Sequence, residues 1–190
     1  MKNSSETFES GKIYHLYSRS IGNQELFLRD ENYKFFLSRY SLYCDDFFET
    51  IAYCLIPNHF HFLVRIRENQ QDLAIVKAFS NFLNGYAKAF NKSIDRNGGL
   101  FQRKFKRKVI DNENYLSRII LYIHLNPIKH GLVKKVNEWK YSSFESYCTN
   151  KTSKVSKELG LVWFGGIHEF LKIHDSLMDE YLLDEYSLEG

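Results

Sequence analysis

Two pairs of residues in this sequence have the types and spacing for chemistry. The first is His59-Phe60-His61. Alternate side chains of an extended strand share a face, so the two imidazoles stand roughly 6–7 Å apart on one side. That separation lets both reach one metal ion, while Phe60 anchors the strand from behind. A bare pair of this kind also occurs as surface or interface histidines. The second pair is Tyr122 and Asn126, in Tyr122-Ile123-His124-Leu125-Asn126-Pro127. Helix positions i and i+4 lie on one face. Together they offer a phenol as nucleophile and a carboxamide oxygen as a third ligand. Alternatively, Tyr122 is a packing aromatic and Asn126 a C-terminal helix stop. Tyr115 falls on nearly the same helix face but lacks such a partner at i+4. His124 turns about 200° away from Tyr122 on the helix wheel and reads as packing or as a support for the site.

A basic run lies between the two pairs. Residues 101–110 read Phe-Gln-Arg-Lys-Phe-Lys-Arg-Lys-Val-Ile, the densest positive stretch in the chain. Arg103, Lys104, Lys106, Arg107 and Lys108 are candidates for phosphate contacts, with Phe101 and Phe105 available to stack or pack. A solvated basic strand edge is the plainer alternative. Lys129, His130, Lys134 and Lys135 extend the positive surface, and the stretch from Asp175 onward is acidic. The net charge of +3 neither demands nor excludes nucleic acid; the placement of the charge matters more.

The elements that must position these residues follow from periodicity. Lys12 to Arg19 reads as a strand. Asp30 can cap a helix from Glu31 to Cys44, and Phe47 to Leu55 is a second strand. After the turn at Pro57-Asn58, His59 to Arg67 alternates: Phe60, Phe62, Val64 and Ile66 on a greasy face, His59, His61, Leu63, Arg65 and Arg67 on a wetter one. Gln71 to Phe90 is a long helix with Phe79, Phe82, Tyr86 and Phe90 at core spacing. Phe101 to Ile110 is a fourth strand, and Asp111 opens a helix that Pro127 stops near Asn126. The order is that of an α+β, ferredoxin-like (split βαβ) antiparallel sheet with helices on one face. One domain is expected over residues 1–150, followed by a C-terminal tail, 151–190, with a helix from Ile167 to Leu183.

Composition excludes several classes. With 44% hydrophobic and 16% aromatic residues the chain has a real core and is no disordered protein. Three scattered cysteines make no disulfide framework, and Cys44 and Cys54 read as core thiols. The first residues lack the apolar core of a signal peptide, and no run of about 18 apolar residues is present. The expectation is a cytoplasmic protein with no membrane partner.

The motifs in order resemble one family. Pro57-Asn58-His59-Phe60-His61-Phe62-Leu63-Val64, then Phe101-Gln102-Arg103-Lys104-Phe105, then Tyr122 to Val133 and Trp139-Lys140-Tyr141-Ser142-Ser143 are similar to the Y1 (IS200-like) transposases, above all their REP-associated tyrosine transposase subgroup. The resemblance covers about residues 9–146. It implies an HUH nuclease fold, with the paired histidines on a central strand and the tyrosine on a facing helix. It further implies His59 and His61 as metal ligands, Tyr122 as nucleophile and Asn126 as third ligand; some relatives carry Gln where Asn126 stands. The implied activity is metal-dependent cleavage and rejoining of single-stranded or hairpin DNA through a 5′-phosphotyrosine, by a homodimer or a monomer. Mg²⁺ or Mn²⁺ suits phosphoryl transfer, and the ligands do not exclude Zn²⁺. Two rivals stand beside this: a domesticated DNA- or RNA-binding module that never cuts, and a metal hydrolase using activated water.

Overall fold

In the computed structural model, residues 7–102 and 104–177 are described. The sheet strands are β1 (Ile13–Arg19), β2 (Phe48–Ile56), β3 (His59–Ile66) and β4 (Lys106–Ile110). Helix α1 (Asp30–Cys44) joins β1 to β2, and α2 (Asp72–Ser93) joins β3 to β4. Helices α3 (Glu113–Lys129), α4 (Phe144–Cys148), α5 (Lys157–Val162) and α6 (Ile167–Ser176) follow. The strand order is β2-β3-β1-β4, and every neighbouring pair is antiparallel. Each βαβ unit is therefore split by a strand of the other, as the sequence predicts.

Alternation along β3 sorts the molecule into two cores. Phe60, Phe62, Val64 and Ile66 face α1 and α2, and Phe36, Phe79, Phe82 and Tyr86 fill the space between. On α2 the apolar positions Ile75, Phe79, Phe82, Tyr86 and Phe90 recur at helical spacing and all are buried. The opposite face was expected to be the wetter one. It instead carries α3, whose Ile119, Ile120 and Ile123 pack with Ile51, Cys54, Ile56 and Leu63 of the sheet. The sheet is thus covered on both sides. The reason lies in β2: Ile51-Ala52-Tyr53-Cys54-Leu55-Ile56 is a continuous apolar run, which suits a strand enclosed on both faces better than one face in water.

Three boundaries differ from expectation. The residue before α1 is Arg29, and Asp30 is the first helical residue, where its charge and that of Glu31 favour the positive helix end. Regular pairing in β4 begins at Lys106 and not at Phe101. Tyr17 pairs with Lys106 while Ser20 pairs with Phe101, so three steps on the β1 side match five on the 101–106 side and the ladder is not continuous there. Helix α3 does not stop at Pro127 but runs to Lys129. The stop is Gly131, at φ 66. The Leu132 N–H reaches the Pro127 carbonyl and the Gly131 N–H reaches Ile128, both at 2.9 Å, which is a Schellman ending. Asn126 therefore sits inside the helix, one turn after Tyr122.

The segment after α3 closes the free edge of β2. Leu55 N–H donates to Tyr141 and Ser143 N–H to Tyr53, and Val155 bridges Thr50. Trp139 Nε1 donates to Leu55 O at 2.9 Å, and Tyr141 stacks on Tyr33 with centroids 3.7 Å apart. Residues of the tail enter the α3 core: Phe170 is fully buried and stacks on Tyr147. The expected helix from Ile167 is present and ends at Ser176, with Leu177 as its cap; the rest of the expected span to Leu183 and the acidic end lie outside the described residues.

Candidate active site

Strand β3 begins directly after the Pro57-Asn58 turn, so His59 is its first residue. It lies opposite Ile56 of β2 and Arg19 of β1, and His61 lies opposite Cys54 and Tyr17. Both imidazoles point at α3. Their ring centroids are 5.0 Å apart at 88°, and the Tyr122 ring meets His61 edge-on at 5.4 Å. One turn further along α3, Asn126 Oδ1 lies 3.1 Å from His59 Nε2. The structure brings all four residues together, and each is 1% exposed or less. Tyr115 stands elsewhere, half-buried beneath the Lys108 ammonium.

The hydrogen bonds around His59 have a consequence. Its Nδ1 is 2.7 Å from Asn58 Oδ1, while its Nε2 faces the Asn126 oxygen. Burial first, then the Arg19 charge, pushes its pKa down to about 3. The ring is therefore neutral and has one N–H to give to two amide oxygens. The shorter contact takes it. That sets the Nε2 lone pair against the Asn126 oxygen, an arrangement that a shared cation would satisfy. Asn126 Nδ2 is buried with no hydrogen-bond partner among the described residues. His61 is held neutral by burial above all, and its Nδ1 meets His15 Nε2 at 2.9 Å, so Nε2 is the atom through which it could bind an ion. Among the described residues no three His, Cys, Asp or Glu side chains are grouped to hold an ion. A metal here would rely on His59, His61 and the Asn126 oxygen, and three neutral ligands leave room for substrate oxygens.

Positive charge surrounds the site. Lys129 Nζ lies 5.6 Å from the Tyr122 ring centroid, and the exposed His130 ring is 4.8 Å from that of His59. Burial, then Arg19, lowers the pKa of both Lys129 and His130. Of the five candidate phosphate contacts, Lys106 and Lys108 are exposed on the sheet face that carries the histidines. Lys104 is exposed beside a cleft against α2. Arg107 lies on the other face, with its Nη1 3.1 Å from Asp72 and its guanidinium over Phe8, and its side chain is only 8% exposed. Arg103 lies outside the described residues. Phe105 packs on Phe79, and Phe101 on Phe60 and Tyr86.

His124, on the far side of α3, forms its own buried network with His174 and Ser143. Sequence reasoning did not find this pairing, nor the placement of His15, Arg19 and Asn58 around the histidine pair. Asn58 was legible as the neighbour of His59. The other placements depend on strand register and on how α6 docks, and spacing along the chain carries neither.

An antiparallel split βαβ sheet with paired histidines facing a tyrosine helix defines the chain as a member of the HUH nuclease fold, the fold of the Y1 transposases. No family model matches the sequence. A Haemophilus influenzae (strain Rd) protein assigned as a REP-associated tyrosine transposase is 34% identical over 152 residues, 76% of this chain and 86% of that protein. The Escherichia coli K12 REP-associated tyrosine transposase is 30% identical over 97 residues, 51% of this chain and 54% of that protein. A solved structure of a REP-associated tyrosine transposase bound to a REP hairpin shares the fold with a TM-score of 0.64 at 22% identity, covering 79% of this chain and 87% of that one. The chain belongs to the REP-associated tyrosine transposase family, and it is an enzyme of the tyrosine-transposase kind. No helix among the described residues is long and apolar enough to cross a membrane.

Proposed function

We propose that this protein cleaves and rejoins single-stranded DNA at hairpin or palindromic repeats, with Tyr122 as nucleophile. The observation that carries the reading is the convergence of the Tyr122 ring on His61 and of Asn126 on His59 across the sheet–helix interface. A phenol, with an ordinary pKa near 10, is a poor nucleophile in water. In the proposed step the Tyr122 oxygen bonds to phosphorus and loses its proton. The bond from phosphorus to the 3′-oxygen breaks, and that oxygen leaves as a 3′-hydroxyl. The 5′-phosphotyrosine keeps a diester's energy, so a 3′-hydroxyl can reverse the step and join a new strand without ATP. A divalent cation, Mg²⁺ or Mn²⁺, held by His59, His61 and Asn126, would polarise a non-bridging phosphate oxygen and orient it for in-line attack. Arg19 and Lys129 supply positive charge where the phosphate must arrive. Lys106 and Lys108 extend it along the sheet face.

Hairpin DNA is the substrate class favoured by likeness to a relative solved with a REP hairpin. The test uses a 3′-labelled hairpin oligonucleotide carrying a single-stranded flank, because the proposed adduct keeps the fragment that holds the 3′ end. A covalent protein–DNA species is expected on denaturing gels with Mn²⁺ and not with EDTA, and a duplex of the same sequence is expected to give none. Turnover without any adduct would instead indicate activated water. A second reading, a module that binds nucleic acid and never cuts, has one observation on its side: Tyr122 is only 1% exposed. Binding without adduct in every metal tested would establish it.

A further inference from the structure

We propose that His15 is a positioning residue that holds His61 as its Nδ1–H tautomer and so presents the Nε2 lone pair to the ion. The inference rests on the metal-site reading above. β1 and β3 pair so that His15 stands opposite Leu63, two residues along from His61 and on the same sheet face. Across that diagonal His15 Nε2 and His61 Nδ1 are 2.9 Å apart, with the rings 20° from parallel. Tyr17 stacks on both rings, at 4.7 and 5.8 Å, and fixes their tilt from the adjacent position. Both histidines are buried, at 2% and 1% exposure, so water does not compete for the contact.

Only one proton can occupy that contact between two neutral rings. If His15 donates, the proton of His61 must sit on its Nε2, and the ring cannot ligate. If His61 donates, its Nε2 carries a lone pair and His15 serves as acceptor. The acceptor role is the one a ligating histidine requires of its neighbour. His59 obtains the same service from Asn58 Oδ1. The two ligands are thus set by different partners, an amide from the turn and an imidazole from the next strand. His15 itself touches neither substrate nor ion in this scheme.

The test compares wild type with His15→Leu, which keeps bulk without an acceptor, and His15→Gln, which restores one. Mn²⁺ titrations by calorimetry are expected to show His15→Leu weakened by roughly 10- to 100-fold, with His15→Gln recovering most of the loss. Long-range ¹H–¹⁵N spectra of the metal-free protein are expected to show His61 protonated on Nδ1 in wild type and on a mixture of nitrogens in His15→Leu. Hairpin affinity in EDTA and the thermal midpoint report whether each variant is folded. A folded His15→Leu that binds Mn²⁺ within twofold of wild type would overturn the inference and leave the metal site standing. Wild type that binds no Mn²⁺ would remove both. Nε2–H on His61 in the metal-free wild type would also overturn it.

Discussion

Two buried histidine clusters lie on either side of helix α3, and they differ in whether their hydrogen bonds close. In the cluster beneath α6, His174 Nδ1–H donates to the Phe170 carbonyl at 2.7 Å. Its Nε2 then accepts from His124 Nδ1–H at 3.0 Å, and His124 Nε2 accepts from the Ser143 hydroxyl at 2.8 Å. The Tyr53 N–H completes the chain at Ser143 Oγ. Both rings are neutral and both ring nitrogens of each are satisfied with no other species. In the cluster beneath Tyr122 the Asn126 amide decides the count: with its oxygen toward neutral His59, two amide oxygens share one proton. A closed buried network specifies a fold, whereas one that a cation can close is suited to a ligand. The tail helix is fastened by the first kind, and the chemistry is assigned to the second.

The sharpest way to break this comparison is at the phenol. Tyr122→Phe removes one oxygen from the cluster assigned to chemistry. Cleavage and adduct formation should fall by on the order of a millionfold, as for other covalent nucleophiles, with hairpin affinity within threefold of wild type by fluorescence anisotropy. A Phe variant that still forms the adduct would separate the chemistry from α3.

Next comes the cation itself. Mn²⁺ at about a hundred times its dissociation constant should stabilise the wild type by about 2.7 kcal/mol, seen as a raised thermal midpoint. Asn126→Ala should lose that response. His174→Phe should lower the midpoint yet respond to Mn²⁺ as fully as wild type does, because its cluster closes without metal. Equal responses in all three would dissolve the distinction.

Acid should reach the closed cluster in a defined window. Burial holds His174 down to about 4, against the opposing hydrogen bond to Phe170, and holds His124 well below its ordinary value. Unfolded histidine takes its proton near 6.5. Their stabilisation is whole above that pH and is lost as pH falls below it, at up to about 1.4 kcal/mol per unit for each ring, with the loss from His174 complete near 4. Urea midpoints measured in EDTA should follow that slope, and His174→Phe should flatten it. An unchanged slope would mean that the ring is reached by water.

The smallest effect concerns the basic strand. Lys106→Glu and Lys108→Glu should each flatten the salt dependence of hairpin binding by about 0.7 in log–log slope or more. Arg107→Gln should leave the slope alone and cost stability, because its partners are Asp72 and Phe8.

Much of this was legible because the decisive signals are short-range. The period of two in residues 59–66 places both histidines on one face, and the spacing of four places Tyr122 beside Asn126. What escaped was long-range or depended on an ending. Pro127 reads as a stop, but its missing N–H is tolerated and Gly131 ends the helix. The wetter face of β3 reads as solvated, yet its histidines are polar groups enclosed under α3. Arg107 reads as one more phosphate contact, and only the register of β4 on β1 shows that it faces away.

The central claim is that Tyr122, and no other phenol, takes the DNA strand. Trapping the adduct on the labelled hairpin in Mn²⁺, digesting both components and locating the modified peptide by mass spectrometry measures it directly. The account predicts a 5′-phosphorylated nucleotide on Tyr122. Finding it on Tyr115, or on any residue outside α3, would contradict the assignment.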